Sequence, residues 1–170
     1  MAPTASARWH APIAYLLTTT TYGTWLHGDE RGSVNRHGWS DRTRYLGPDP
    51  ELEAHRRKLM KQPAFTFDAV SAGAVDCAIR EHCTFKQWPL RALNVRTNHF
   101  HAVVLAVHDG ARMLGAMKSR ATRVLREGGL VAEDREIWTK RGAVTLLLTQ
   151  EEVSAAVRYV EDGQGPDLSA

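Results

Sequence analysis

Between residues 88 and 107 the chain reads WPLRALNV, then RTN, then HFHAVVLAV, and no other stretch restricts the fold as much. Both outer runs are rich in residues that fill a pleated, half-buried surface. The turn-like RTN between them joins them as a strand pair. Upstream, IAYLLTTTTYG (13–23) is a further β-rich run that ends at Gly23, and downstream 138–148 is strand-like with a break at Gly142. Four strands are therefore expected.

Helical spacing fills the gaps between them. From Phe67 to about Phe85, Val70, Ala74, Cys77 and Ala78 recur at helical intervals. A second helix is expected after Asp109 and Gly110, with Met113, Leu114, Met117, Ala121, Val124 and Leu125 as its buried stripe and EGG at 127–129 as its end. TQEEVSAAVRYVEDGQG reads as a last helix: Thr149 with Glu152 three residues on makes a capping box, and Gly163 supplies the stop. Residues 24–63 form an insertion after the first strand. Within it Asp49, Pro50, early Glu51 and Glu53, and late Arg56, Arg57 and Lys58 describe a short helix whose charges match the helix dipole. The order β, insertion, α, β, β, α, β, α is that of an α+β, ferredoxin-like βαββαβ antiparallel sheet with an additional C-terminal helix, in one domain over 1–170.

Composition narrows the setting. With 43% hydrophobic and 24% charged residues among 170, the chain has enough apolar material for one core and is far from the disordered class. Net charge is +3 and the pI about 9.1, which permits a polyanionic partner without requiring one. Cys77 and Cys83 fall on one helix and point in different directions, so a reduced, cytoplasmic setting is expected. The N-terminal stretch has only a short apolar run interrupted by Pro12, which predicts neither a signal peptide nor a membrane span.

Two groups of residues carry candidate chemistry. In a strand, alternate side chains share a face, so His99 and His101 lie on one side with Phe100 on the other. Two same-face histidines can share a cation, and they can equally be ordinary histidines at a strand end. On the last helix Val153, Ala156, Val157 and Val160 form the apolar stripe, and Tyr159 lies on its flank beside Ala155 and Ala156. That position suits either a tyrosine packed at the core's edge or one whose hydroxyl a substrate approaches.

TTTTYGTWLHGD after the first strand, NVRTNHFHAVV with the two histidines, IWTKRG before the last strand and AVRYVEDGQG with the tyrosine occur in this order from about residue 13 to 165. In this the chain resembles the single-tyrosine HUH transposases, in particular the REP-associated tyrosine transposase group. The resemblance implies metal-assisted nicking and rejoining of single-stranded or hairpin DNA. By analogy His99 and His101 would bind Mg²⁺ or Mn²⁺. Tyr159 would be the nucleophile, giving a 5′-phosphotyrosine and a free 3′-hydroxyl. A third, amide-bearing ligand is expected four residues after the tyrosine, where this chain has Gly163. Gln164 is the first candidate for that role, with Asp162 and Glu161 competing, since carboxylates suit these cations. The family includes both monomers and dimers, so a homodimer is compatible with it.

Lys118, Arg120, Arg123 and Arg126 lie off the apolar stripe of the second long helix, and the insertion adds further basic residues, Arg42 and Arg44 among them. Each set is either a solvated face or a phosphate-binding one. Trp25, Trp39 and Tyr45 in the insertion are of a kind that stacks on unpaired bases, whereas Trp138 is expected in the core. Besides a transposase-type nuclease and strand transferase, the pattern admits a non-catalytic or domesticated single-stranded nucleic-acid (hairpin) binding module.

Overall fold

The computed structural model describes residues 11–35 and 44–162. In chain order its elements are β1 (Ala14–Thr20), β2 (Ser33–Asn35), β3 (Arg44–Leu46), α1 (Pro50–Lys58), α2 (Ala69–Phe85), β4 (Leu90–Val95), β5 (His99–Leu105), α3 (Gly110–Glu127), β6 (Ala143–Leu147) and α4 (Gln150–Asp162). The main sheet has the order β4-β5-β1-β6, and each neighbouring pair is antiparallel. Taken with α2 after β1 and α3 after β5, this is the ferredoxin-like α+β arrangement, with α4 added. The insertion contributes the small β2–β3 sheet and α1.

Strand alternation divides the sheet into two faces. Tyr15, Leu17, Phe100, Ala102 and Val104 point to one face, where α2 and α3 cover them through Val75, Ile79, Met113, Met117 and Leu125. Ala14, Ala92, Val103 and Leu147 point to the other, where Val153, Ala156 and Val160 of α4 cover them. Among the described residues α4 alone covers that face of the sheet. Its start is fixed by the expected capping box: Glu152 N–H donates to Thr149 Oγ1 (3.2 Å), and Glu152 Oε2 accepts from the amides of Leu148 (2.6 Å) and Thr149 (3.3 Å). α1 begins as expected, with the Asp49 side chain accepting from Leu52 N–H.

One expectation is corrected. The buried side of α2 is Ser71, Ala72, Val75, Ala78, Ile79 and Cys83, while Val70 is 65% exposed and Cys77 is exposed. Small apolar residues surround much of this helix, so several phases look alike until the helix docks. The span 138–148 is broken at Gly142, as expected. Trp138 makes an isolated bridge to Thr21, the chain passes Gly142, and β6 starts at Ala143. A Cβ at Gly142 would come within 2.5 Å of the Thr18 carbonyl oxygen and of Leu114, so only glycine lets the backbone pass there. Trp138 is buried against Phe67 and Phe100 as expected. Cys77 and Cys83 are both free thiols. Among the described residues no helix is long and apolar enough to cross a membrane.

Candidate functional site

The site lies on the α4 face at the start of β5. His101 stands between two cross-strand neighbours, Thr18 on β1 and Asn94 on β4. His99 stands opposite Thr20. The two imidazole centroids are 4.9 Å apart at 71°, as same-face alternation requires. The phenol of Tyr159 meets the His101 ring at 5.4 Å and 73°. Sequence separation is bridged here by α4 lying across β4 and β5. Tyr159 is 47% exposed and His101 8%, so one edge of the site opens to solvent while its base is closed.

The threonine run that ends β1 builds the walls. Thr18 Oγ1 lies 2.7 Å from His101 Nδ1. Thr20 Oγ1 donates to Thr139 Oγ1 (3.3 Å), and Thr139 returns bonds to the Thr20 carbonyl, which draws the IWTKRG segment to the His99 end. Thr21 N–H, Thr21 Oγ1 and Thr24 Oγ1 all donate to the Asn98 carbonyl, at 2.8, 3.2 and 3.4 Å. The Asn98 side-chain oxygen in turn lies 2.7 Å from His99 Nδ1. The alternate residues Thr19 and Thr21 are buried at 1% and 0%.

These contacts bear on whether the pair fits a cation. An amide oxygen only accepts, so His99 Nδ1 is the donor in this contact. His101 has the same arrangement when the Thr18 hydroxyl accepts from Nδ1, and fixing one ring nitrogen in this way is how metal-binding histidines are oriented. Burial, with His99 beside it, pushes His101 down to about 4, so at neutral pH the imidazole is in the uncharged form that ligates. The donor chemistry fits a divalent cation. Among the described residues no group of three or more His, Cys, Asp and Glu side chains is placed to hold one. Asp162 and Glu161 are exposed at the end of α4, and Glu161 lines a groove with Asp76, Arg80, Arg91 and Asn94. Gln164 lies outside the described residues.

The basic residues of α3 are not part of this site. α3 packs on the opposite face of the sheet. Lys118, Arg123 and Arg126 line a groove of about 710 Å³ there with Ser119, Thr122 and Glu133. Lys118 Nζ donates to the Thr139 carbonyl at 2.6 Å, and burial lowers its pKa. Arg120 faces Glu81 on α2 at 3.6 Å, and Arg126 Nε lies 3.9 Å from Glu133. Arg123 is exposed. Of the insertion's residues, Arg44 falls in β3, while Arg42 and Trp39 lie outside the described residues. Arg31 stacks on Trp25 at 4.6 Å and pairs with Asp29 at 2.6 Å.

Thr18, Asn94 and Asn98 were not among the residues expected to matter. The signal for Thr18 and Asn94 was the antiparallel register, which sets both beside His101. Fold and site together define an α+β domain in which a helix-borne tyrosine closes on a same-face histidine pair. No family model and no curated protein matches the sequence. Among solved structures, the chain is similar to a REP-associated tyrosine transposase bound to a REP hairpin, with a TM-score of 0.47 and 12% identity over 93% of this chain and 70% of that one.

Proposed function

We propose that this protein is a transposase-type single-strand DNA endonuclease and strand transferase of the single-tyrosine HUH kind, with Tyr159 as its nucleophile. The observation that carries the reading is the placement of the Tyr159 ring 5.4 Å from that of His101, with His99 beside it. The Tyr159 oxygen attacks a backbone phosphorus of single-stranded or hairpin DNA. A P–O bond to tyrosine forms, the bond to the 3′-oxygen breaks, and the phenol's proton ends on the released 3′-hydroxyl. One phosphodiester replaces another, so the step needs no ATP and reverses when a 3′-hydroxyl attacks the phosphotyrosine. Mg²⁺ or Mn²⁺ held by His99 and His101, with Gln164 as third ligand or Asp162 or Glu161 in its place, would polarise the phosphate and offset the weakness of a phenol whose ordinary pKa is roughly 10.

The chain's own residues then have separable tasks. Thr18 and Asn98 orient the imidazoles, burial keeps His101 neutral, and the exposed side of Tyr159 admits the strand. Lys118, Arg123 and Arg126, with Arg120 turned toward α2, offer the opposite face to DNA phosphates, and Arg42 and Arg44 would extend contacts from the insertion. The experiment is a denaturing gel of protein with labelled single-stranded hairpin DNA from the flanks of its own gene, with Mn²⁺ and with chelator. A metal-dependent, protein-linked label supports the reading. Retained binding with no linked label favours the non-catalytic hairpin-binding module, for which the α3 groove on the other face is the motivating observation.

A further inference from the structure

We propose that Asn94 is a positioning residue for Tyr159, tying the turn of α4 that holds Val160 to the strand row that carries His101. Its relevance to strand cleavage rests on the reading above; the tie itself does not. Thr18, His101 and Asn94 form one row across β1, β5 and β4 on the face that α4 covers. From this row Asn94 Nδ2 donates to the Val160 carbonyl at 3.0 Å.

The Val160 carbonyl accepts this bond in the last turn of α4 that the described residues include. Water is a poor substitute there, because Val160 is fully buried against the sheet. Asparagine is also an unfavourable strand residue, and its neighbours under α4, Ala92 and Val103, are apolar. An amide at position 94 therefore gives up packing and strand propensity, and what it gains is the bond to Val160. Tyr159 is the residue immediately before Val160. A slight roll of this turn moves the phenol, at the end of its long side chain, further than it moves the backbone. With its carbonyl held from β4 and its side chain seated between strands, Val160 fixes the roll that sets Tyr159 against His101.

Two variants test this. Asn94→Asp keeps the shape but cannot donate when ionised, and its charge is repelled by the Val160 carbonyl oxygen. Asn94→Leu removes the donor without adding charge, and carries the same readouts if the aspartate variant does not fold. The first readout needs no activity: the NMR signal of the Tyr159 ring, assigned by its loss in Tyr159→Phe, which senses the His101 ring. The second is the rate of covalent adduct formation at saturating hairpin DNA with Mn²⁺. In a folded variant the signal is expected to shift or broaden. The rate should fall on the order of tenfold to a hundredfold with DNA affinity unchanged, as expected when a reacting group is misplaced by about an ångström. Wild-type signal and wild-type rate in a folded Asn94→Leu protein would overturn the proposal. A displaced Tyr159 signal together with a wild type that forms no adduct keeps the positioning role and removes the nicking reading, so the two failures are distinct.

Discussion

Tyr159 and His101 meet edge to face, their rings 5.4 Å apart at 73°, one from the last helix and the other from a central strand. The contact joins the sheet's most buried histidine to a tyrosine that is nearly half exposed.

Replacing Tyr159 with phenylalanine keeps that ring and removes only the hydroxyl. Thermal stability is expected to change by no more than about 0.5 kcal/mol, as for exposed positions generally, and hairpin DNA should bind as before. Covalent adduct should disappear from the denaturing gel; an adduct of undiminished yield would exclude Tyr159 as nucleophile.

Thr18→Val leaves a methyl group where the His101 Nδ1 partner stood. Loss of such an orienting bond typically weakens metal binding by about ten- to a hundredfold, so Mn²⁺ titrated calorimetrically into the variant should bind that much less tightly than to wild type. Unfolding in urea should register about 1 kcal/mol from the lost hydrogen bond. Equal Mn²⁺ affinity in the two proteins would mean that Thr18 does not orient a ligand.

The Arg31 guanidinium beside Asp29, helped by the Arg31 amide, holds the Asp29 carboxyl at about 2, below its ordinary 3.8. A carboxylate lowered on folding adds stability that is complete above the unfolded value and is lost as pH falls from 3.8 through about 2. Since Arg31 is 44% exposed, solvent screening limits the pair to about 1 to 2 kcal/mol. Arg31→Met should therefore lower urea stability at pH 7 by about that amount, with the difference from wild type narrowing below about pH 4. A difference independent of pH would assign the loss to packing on Trp25 instead.

On α3, Arg123 and Arg120 should behave differently. Arg123 is exposed in its groove, so Arg123→Ala should weaken DNA binding at every sequence tested and reduce the slope of log affinity against log salt by about one. Arg120 is already engaged with Glu81, and its alanine variant should change that slope less. Identical slopes for wild type and Arg123→Ala would remove this face from the DNA interface.

Much of this architecture is legible in the amino-acid order. Alternation put His99 and His101 on one side and Phe100 on the other. Thr149 and Glu152 marked the start of α4, and the apolar stripe left Tyr159 on its flank. Periodicity finds the apolar side of a helix but not the face of the sheet that receives it, which is why the basic row of α3 gave no sign of lying away from Tyr159. Right-handed crossovers place α2 and α3 on one face, and α4 then takes the other. The phase of α2 is hard to read in the sequence because its alanines and glycine leave its hydropathy pattern nearly uniform, although its burial is one-sided. Thr18, Asn94 and Asn98 escaped notice for a different reason. Thr18 and Asn94 bond partners far along the chain, His101 and Val160, that come within reach only once the strands are in register and α4 is docked, and Asn98 bonds its own neighbour His99 through an amide whose direction the sequence does not set.

The two faces of the sheet are covered unequally. Among the described residues one carries two long helices and most of the large apolar side chains, the other a single helix seated through Val153, Ala156 and Val160. Such a domain has two thresholds for opening, and the lower one belongs to the tyrosine helix. Amides of α4 should exchange with solvent through an event that leaves β5 protected, so the histidines keep their places while Tyr159 comes and goes.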